Sequence, residues 1–122
     1  MARTTFQGPV GIGKGTTPTV TQATNRSTGV TLNAASGQIT MNSTSLAAGA
    51  DVSFVVTNNK CTANSVPVVA IKSMATGLPS ATVTTVADGS FTITVTNLDG
   101  ATADTTADVI NFIVFNGSNT GA

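Results

Sequence analysis

The feature that most constrains this chain is the run Phe91-Thr92-Ile93-Thr94-Val95-Thr96. Apolar and polar residues alternate through it without a break. Side chains on a strand have a period of two, so Phe91, Ile93 and Val95 share one face and three threonines share the other. A helix would scatter both sets around its axis. The run is therefore a half-buried strand with one dry face and one wet face. Asp88-Gly89 precedes it as a turn signal, and the β-rich run Ala81 to Val86 comes before that. Together, residues 81–97 predict a hairpin with a loop of three or four residues. The rest of the chain has to supply a cover for its dry face.

Composition agrees with a β protein. The 122 residues suffice for one domain with a core of its own. Only 8% are charged, against about 25% in an ordinary soluble protein, so Thr, Ser and Asn must do most of the hydration. Threonine suits that role on a pleated surface. The cations are Arg3, Lys14, Arg26, Lys60 and Lys72, and the acids are Asp51, Asp88, Asp99, Asp104 and Asp108. They balance to zero and form no basic patch, which argues against nucleic acid as a partner. A surface with so little charge resists association poorly and favours life inside an assembly.

Residues 1–28 differ from the rest of the chain. Gly8, Gly11, Gly13, Gly15, Pro9 and Pro18 disfavour a helix, and apolar side chains are sparse. The stretch carries Arg3, Lys14 and Arg26 and no acid. It predicts an extended arm over residues 1–20 ahead of a domain over 21–122. Phe6, Val10 and Ile12 are its candidate apolar anchors, with Arg3 and Lys14 as candidate charged contacts. The arm is expected to be dispensable for folding and needed for attachment, since all core strands are expected to begin after Ser27.

Beyond Ser27, strands are expected at 29–33, 37–41, 52–57 and 66–71, then in the hairpin, and last at 109–115. Residues 34–36 form a turn, and 46–51 form a loop with room for a helical turn. Val52, Phe54 and Val56 should point inward. Pro67 cannot donate to a ladder, which places its strand at an edge or Pro67 at the strand's start. Val109 to Phe115 is apolar on both faces: Val109, Ile113 and Phe115 on one, Ile110, Phe112 and Val114 on the other. A central strand covered on both sides accounts for that pattern. So does a strand whose Val109, Ile113, Phe115 face forms an oligomer interface. Short strands with frequent turns and no convincing helix predict an all-β fold, an antiparallel two-sheet β-sandwich of jelly-roll or immunoglobulin-like type.

Catalytic chemistry has little to work with. The chain holds no His, Glu or Tyr to act as a base, and its single cysteine, Cys61, has no partner for a dyad or a disulfide. Gly8 to Lys14 imitates a phosphate-binding loop, but Gly15 stands where Ser or Thr would hold magnesium. Asp99, Asp104 and Asp108 fall close enough together to suggest calcium, yet lack the spacing of a calcium loop, and a solvated loop is the expectation. Zinc has too few ligands. No enzyme activity, cofactor or metal is expected. The start of the chain lacks the apolar core of a signal peptide, and no run approaches a membrane span, so synthesis in the cytoplasm is expected.

Two stretches taken together carry a resemblance. One is Ala2-Arg3-Thr4-Thr5-Phe6-Gln7-Gly8-Pro9-Val10. The other runs from Thr21-Gln22-Ala23-Thr24-Asn25-Arg26 through Gly29-Val30-Thr31-Leu32-Asn33 and Gly37-Gln38-Ile39-Thr40-Met41. It continues to Ser45-Leu46-Ala47-Ala48-Gly49 and Val52-Ser53-Phe54. They resemble small virion proteins of tailed bacteriophages, of the capsid decoration or cement type. The resemblance implies a β domain on the outer face of the capsid, a homotrimer, with the major capsid protein lattice as partner. An alternative is a sugar- or host-surface-binding module of a fibre or adhesin. Such modules present aromatic platforms, and this chain has no Trp or Tyr.

Overall fold

A computed structural model of the chain describes residues 17–116. Eight strands run through them: β1 (Thr19–Thr21), β2 (Val30–Thr31), β3 (Ser36–Thr40), β4 (Asp51–Thr57), β5 (Val66–Ser73), β6 (Pro79–Ala87), β7 (Ser90–Asn97) and β8 (Val109–Phe115). They form two four-stranded sheets, in the orders β1-β3-β8-β5 and β2-β4-β7-β6. No helix occurs among the described residues. The fold is an all-β two-sheet sandwich whose long ladders are antiparallel. Short parallel pairings add β1 to β3 and β2 to β4 at the sheet edges.

The period of two in the sequence builds the core directly. Phe91, Ile93 and Val95 of β7 are buried, as are Phe54 and Val56 of the neighbouring β4. Phe54 lies opposite Ile93, and Val56 opposite Phe91. The other sheet contributes Ile39 from β3 and Ile110, Phe112 and Val114 from β8. Phe91 and Phe112 meet edge to face across the sandwich, their ring centres 5.6 Å apart, and so join the two sheets at mid-core.

Several expectations hold in detail. β8 is an inner strand, flanked by β3 and β5. β5 is an edge strand, which accommodates Pro67. Other expectations need correction. The hairpin loop has two residues, since Ala87 pairs with Ser90. Gly89 takes φ 82° there, a value that glycine adopts at no steric cost, and that freedom allows the tighter turn. Residues 46–51 contain a reverse turn closed by the Ala50 amide on the Ala47 carbonyl, not a helix. Gly49 sits in that turn at φ 74°.

The core also begins earlier than Ser27. β1 pairs with β3 from Thr19, and Val20 packs against the core. This strand lies across position 20, where the sequence divides arm from domain. Removing residues 1–20 would therefore take part of a strand. Gln22 and Arg26 are buried too, so the region after β1 is a structured crossover between sheets, not a continuation of an extended arm.

Candidate binding surface

The outer faces of the two sheets are chemically unlike. On the β2-β4-β7-β6 sheet, Thr92, Thr94 and Thr96 point outward, in register with Ser53, Ser80 and Thr82 among others. Ser53 Oγ and Thr94 Oγ1 are 2.7 Å apart, and Thr84 Oγ1 lies 3.2 Å from the same threonine. Apart from Val55, 45% exposed beside Thr92, this face is a hydroxyl lattice that water satisfies easily.

The outer face of the β1-β3-β8-β5 sheet is polar over β1 and β3 but apolar at one end of β5 and β8. Val66 lies opposite Phe115, and Val68 opposite Ile113. Val66 is 60% exposed, Val68 47% and Phe115 47%. Ile113 is half-buried between them. Of the candidate interface residues, Ile113 and Phe115 belong to this patch. Val109 shares their face at the far end of β8 and is half-buried. The doubly apolar run at 66–71 is plain in the sequence, but its junction with β8 is not. The missing fact is the register that sets Val66 beside Phe115. The arm candidates Arg3, Phe6, Val10, Ile12 and Lys14 lie outside the described residues.

The opposite end of the sandwich carries a second exposed cluster. Leu78 and Leu98 are joined by a backbone hydrogen bond of 2.9 Å, and Met74 lies in the same β5–β6 connection. All three are exposed.

This end is held by a buried polar cluster that corrects the expectation of a solvated acidic loop. Asp104 and Asp108 are fully buried, and Arg26 stands between them at 3% exposure. Arg26 Nη1 lies 3.1 Å from Asp104 Oδ2 and 3.1 Å from Asp108 Oδ2. Its Nη2 donates to the Thr106 carbonyl at 2.7 Å and to the Asp104 carbonyl at 3.4 Å, and Nε donates to the Thr44 carbonyl. Each of the three guanidinium nitrogens thus donates at least one hydrogen bond. A hollow of about 250 Å³ opens beside Arg26, lined also by Asn25, Ser27, Thr44 and Asp51.

Asp104 and Asp108 share more than the arginine. One oxygen of each, Asp104 Oδ2 and Asp108 Oδ1, is buried without a hydrogen-bond partner. Burial, and then the neighbouring Asp104 carboxyl, push Asp108 up to about 7. Burial opposes ionisation of Asp104 as well. Interaction with Asp108, the Thr106 amide and the Arg26 charge outweigh it and hold Asp104 below the usual range. Asp99 lies apart; its carboxylate accepts from the Ala101 and Thr102 amides, each at 2.8 Å, which lowers its pKa. With Asp99 apart and Arg26 between the other two, these acids make a lock for loops. Among the described residues no group of acids, Cys or His is placed to hold a metal ion.

Two buried amides complete the fastening. Asn97 donates to the Leu46 carbonyl at 3.2 Å and the Thr102 carbonyl at 2.9 Å, and accepts from the Leu78 amide at 3.0 Å. At the other end, Asn58 donates to the Ala34 carbonyl at 2.7 Å and accepts from the Lys60 amide at 2.8 Å. Cys61 is buried nearby, its thiol 3.5 Å from the Ala87 and Ser90 carbonyls. Buried amides aimed at carbonyls of distant loops fix loop positions, because each broken bond would strand a buried polar group.

Comparison with family models, with curated proteins and with solved structures finds no match to this chain.

Proposed function

We propose that this protein is a bacteriophage capsid decoration protein. It binds the outer face of the shell, stabilises it without catalysis, and works as a homotrimer. The observation that carries this reading is the apolar patch of Val66, Val68, Ile113 and Phe115 on a domain whose other sheet face carries mostly hydroxyls, with Val55 alone among them. Apolar side chains grouped at one place on a weakly charged surface favour burial against a partner. The two loop ends are fastened by buried polar clusters, so the surface is presented on a rigid frame. Resemblance in the 2–10 and 21–54 stretches supplies the shell as the partner and three as the copy number. The arm anchors, Arg3, Phe6, Val10, Ile12 and Lys14, add to attachment in this reading.

Many weak contacts suffice on a lattice, because copies held side by side gain from avidity. The test is direct binding of the purified full-length chain to expanded capsids of its phage. Saturable binding at fixed stoichiometry is expected, together with a rise in the temperature at which the shell ruptures. Absence of the chain from purified virions would overturn the proposal. Of the described aromatic side chains only Phe115 is exposed, which offers a sugar ring little to stack on. A clear hit on a glycan array would favour the fibre or adhesin module instead.

A further inference from the structure

We infer that the free edge of β5 pairs with β5 of a second copy, antiparallel and about a two-fold axis, with Ala70 facing its own counterpart. This goes beyond the shell reading and stands without it. A two-fold contact cannot close a trimer; under that reading it joins a copy in one trimer to a copy in the next. Three observations lead to it.

The first is the direction of the backbone groups. The Val114 amide donates to the Ala35 carbonyl at 2.7 Å, so Val114 turns its backbone groups toward β3. Pro67 lies opposite Val114 in the ladder between β5 and β8. Such a pair exchanges no hydrogen bonds, so Pro67 turns its nitrogen and carbonyl to the open side of β5. Strand alternation gives Val69 and Ile71 the same direction. Their amides and carbonyls line the free edge, while Pro67 has no donor to place there.

The second is that this edge is guarded only at its ends. Pro67 blocks one end, and the register shift between Ile71 and Ser73 bends the other. Between them stand Val68, Val69, Ala70 and Ile71, with no charge. Lys72, the one charge on β5, leans away across β8, its Nζ 3.2 Å from Gln38 Oε1. Val69 and Ile71 pack against the core yet are only half-buried, because nothing in the sheet lies beyond them.

The third is self-complementarity, which selects the occupant. With the axis at Ala70, Val69 lies opposite the second copy's Ile71, and Ile71 opposite its Val69. Every donor and acceptor of these residues on the edge then finds a partner. Moving the axis to Val69 would set Ile71 against a proline and leave its carbonyl without a donor. The same register brings the half-buried Val69 and Ile71 side chains together as β-branched cross-strand pairs. Ala70 is the smallest outward side chain on β5, and it takes the position where the two backbones come nearest. The two patches that hold Val66 and Val68 end on one side of the joined sheet.

The test uses the full-length chain with single substitutions at exposed positions, which leave the core intact. Ala70→Cys places two thiols at the axis, where Cα atoms stand about 4.5 Å apart, within disulfide reach. Val66→Cys places them about 27 Å apart. With copper phenanthroline in air, at high micromolar protein, A70C should form a covalent pair on a non-reducing denaturing gel. V66C should do so at least about tenfold more slowly, although Val66 is 60% exposed. Wild type, whose Cys61 is buried, should form none. Equal rates for A70C and V66C, or no pair from A70C, would overturn the inference. Ala70→Glu and Ala70→Lys each set like charges opposite one another and should weaken self-association several-fold in sedimentation. An equimolar mixture of the two should restore it; a mixture no stronger than either variant alone would also overturn the inference.

Discussion

Arg26 donates from Nη1 to Asp108 Oδ2 at 3.1 Å, although the two residues stand 82 positions apart in the chain. The bond joins the crossover after β1 to the loop that enters β8. The Arg26 Nη2 bond to Thr106 grips the same loop a second time, and the Nε bond to Thr44 brings one more backbone segment into the contact.

Arg26→Ala should therefore be among the most damaging single changes in the chain. Removing one partner of a buried ion cluster costs about 3–5 kcal/mol, because the remaining charge is left without compensation. Urea unfolding at neutral pH should show that loss. Arg26→Lys should recover only part of it, since one ammonium cannot reach three carbonyls and two carboxyls from a single point. A loss below about 1 kcal/mol for Arg26→Ala would mean that water replaces the guanidinium.

The raised pKa of Asp108 predicts a pH profile. In the folded chain Asp108 keeps its proton up to about pH 7, whereas an unfolded aspartate releases it near 3.8. Between those values the folded state binds more protons than the unfolded one, so stability falls as pH rises and levels off above about 7. Asp104 and Asp99 are shifted downward and act in the opposite sense. Their contribution is present above the ordinary aspartate value and is lost as pH falls through their folded values. Stability should peak on the acid side of neutrality. Asp108→Asn should flatten the decline toward pH 7. Urea midpoints measured across about pH 3–8 would show no decline toward neutrality if Asp108 ionised in the ordinary range.

Glycines at positive φ separate two kinds of cost. Gly49 has φ 74° and open space around the position of a Cβ. Gly49→Ala should lose about 1 kcal/mol, the cost of the left-handed backbone. Gly77 has φ 64°, and a Cβ there would come 2.9 Å from Asn97 Oδ1 and 2.9 Å from Asp104 Cβ. Gly77→Ala adds that crowding and disturbs the amide that pins Leu78 and Thr102, so a loss of about 3 kcal/mol is expected. Equal melting temperatures for the two variants would contradict the close approach at Gly77.

The double variant V66S/F115S should separate stability from attachment. Both side chains already face solvent, so unfolding free energy should stay within about 1 kcal/mol of wild type. Affinity for expanded capsids should fall at least about tenfold, or ~1.4 kcal/mol. Titration of capsids with each protein measures it.

What the sequence disclosed depended on the range of each interaction. Phe91 to Thr96 declared its two faces because alternation is local, and the same holds for Val52, Phe54 and Val56. The edge position of β5 was legible from Pro67, since the lack of an N–H is a property of one residue. Arg26 misled because a cation beside Asn25 and Ser27 looks exposed, and nothing nearby announces a partner at position 108. Asp104 and Asp108 misled for the same reason, and nothing local announces the role of Asn58, which depends on the Ala34 carbonyl. The strand β1 was hidden too, because three residues have no measurable period; β2 falls within the strand expected at 29–33, but its parallel pairing with β4 depends on residues far along the chain. For the binding surface, each apolar row was visible singly, and only the pairing of Val66 with Phe115 made them one patch.

The place of β8 in its sheet sets an order of assembly. The partners β4, β7 and β6 are complete once residue 97 has been synthesised, and the β6–β7 hairpin can then take β4 on the free edge of β7. The second sheet cannot close then, because β3 and β5 share no backbone ladder and each pairs with β8, the last of the described strands. Until Val109–Phe115 emerges, a nascent chain holds one finished sheet with its apolar face open. Closure of β8 between β3 and β5 is the slow, long-range step that ends this exposure. A ribosome stalled just short of residue 109 would display a sticky half-sandwich to chaperones, and release of the final strand would withdraw it.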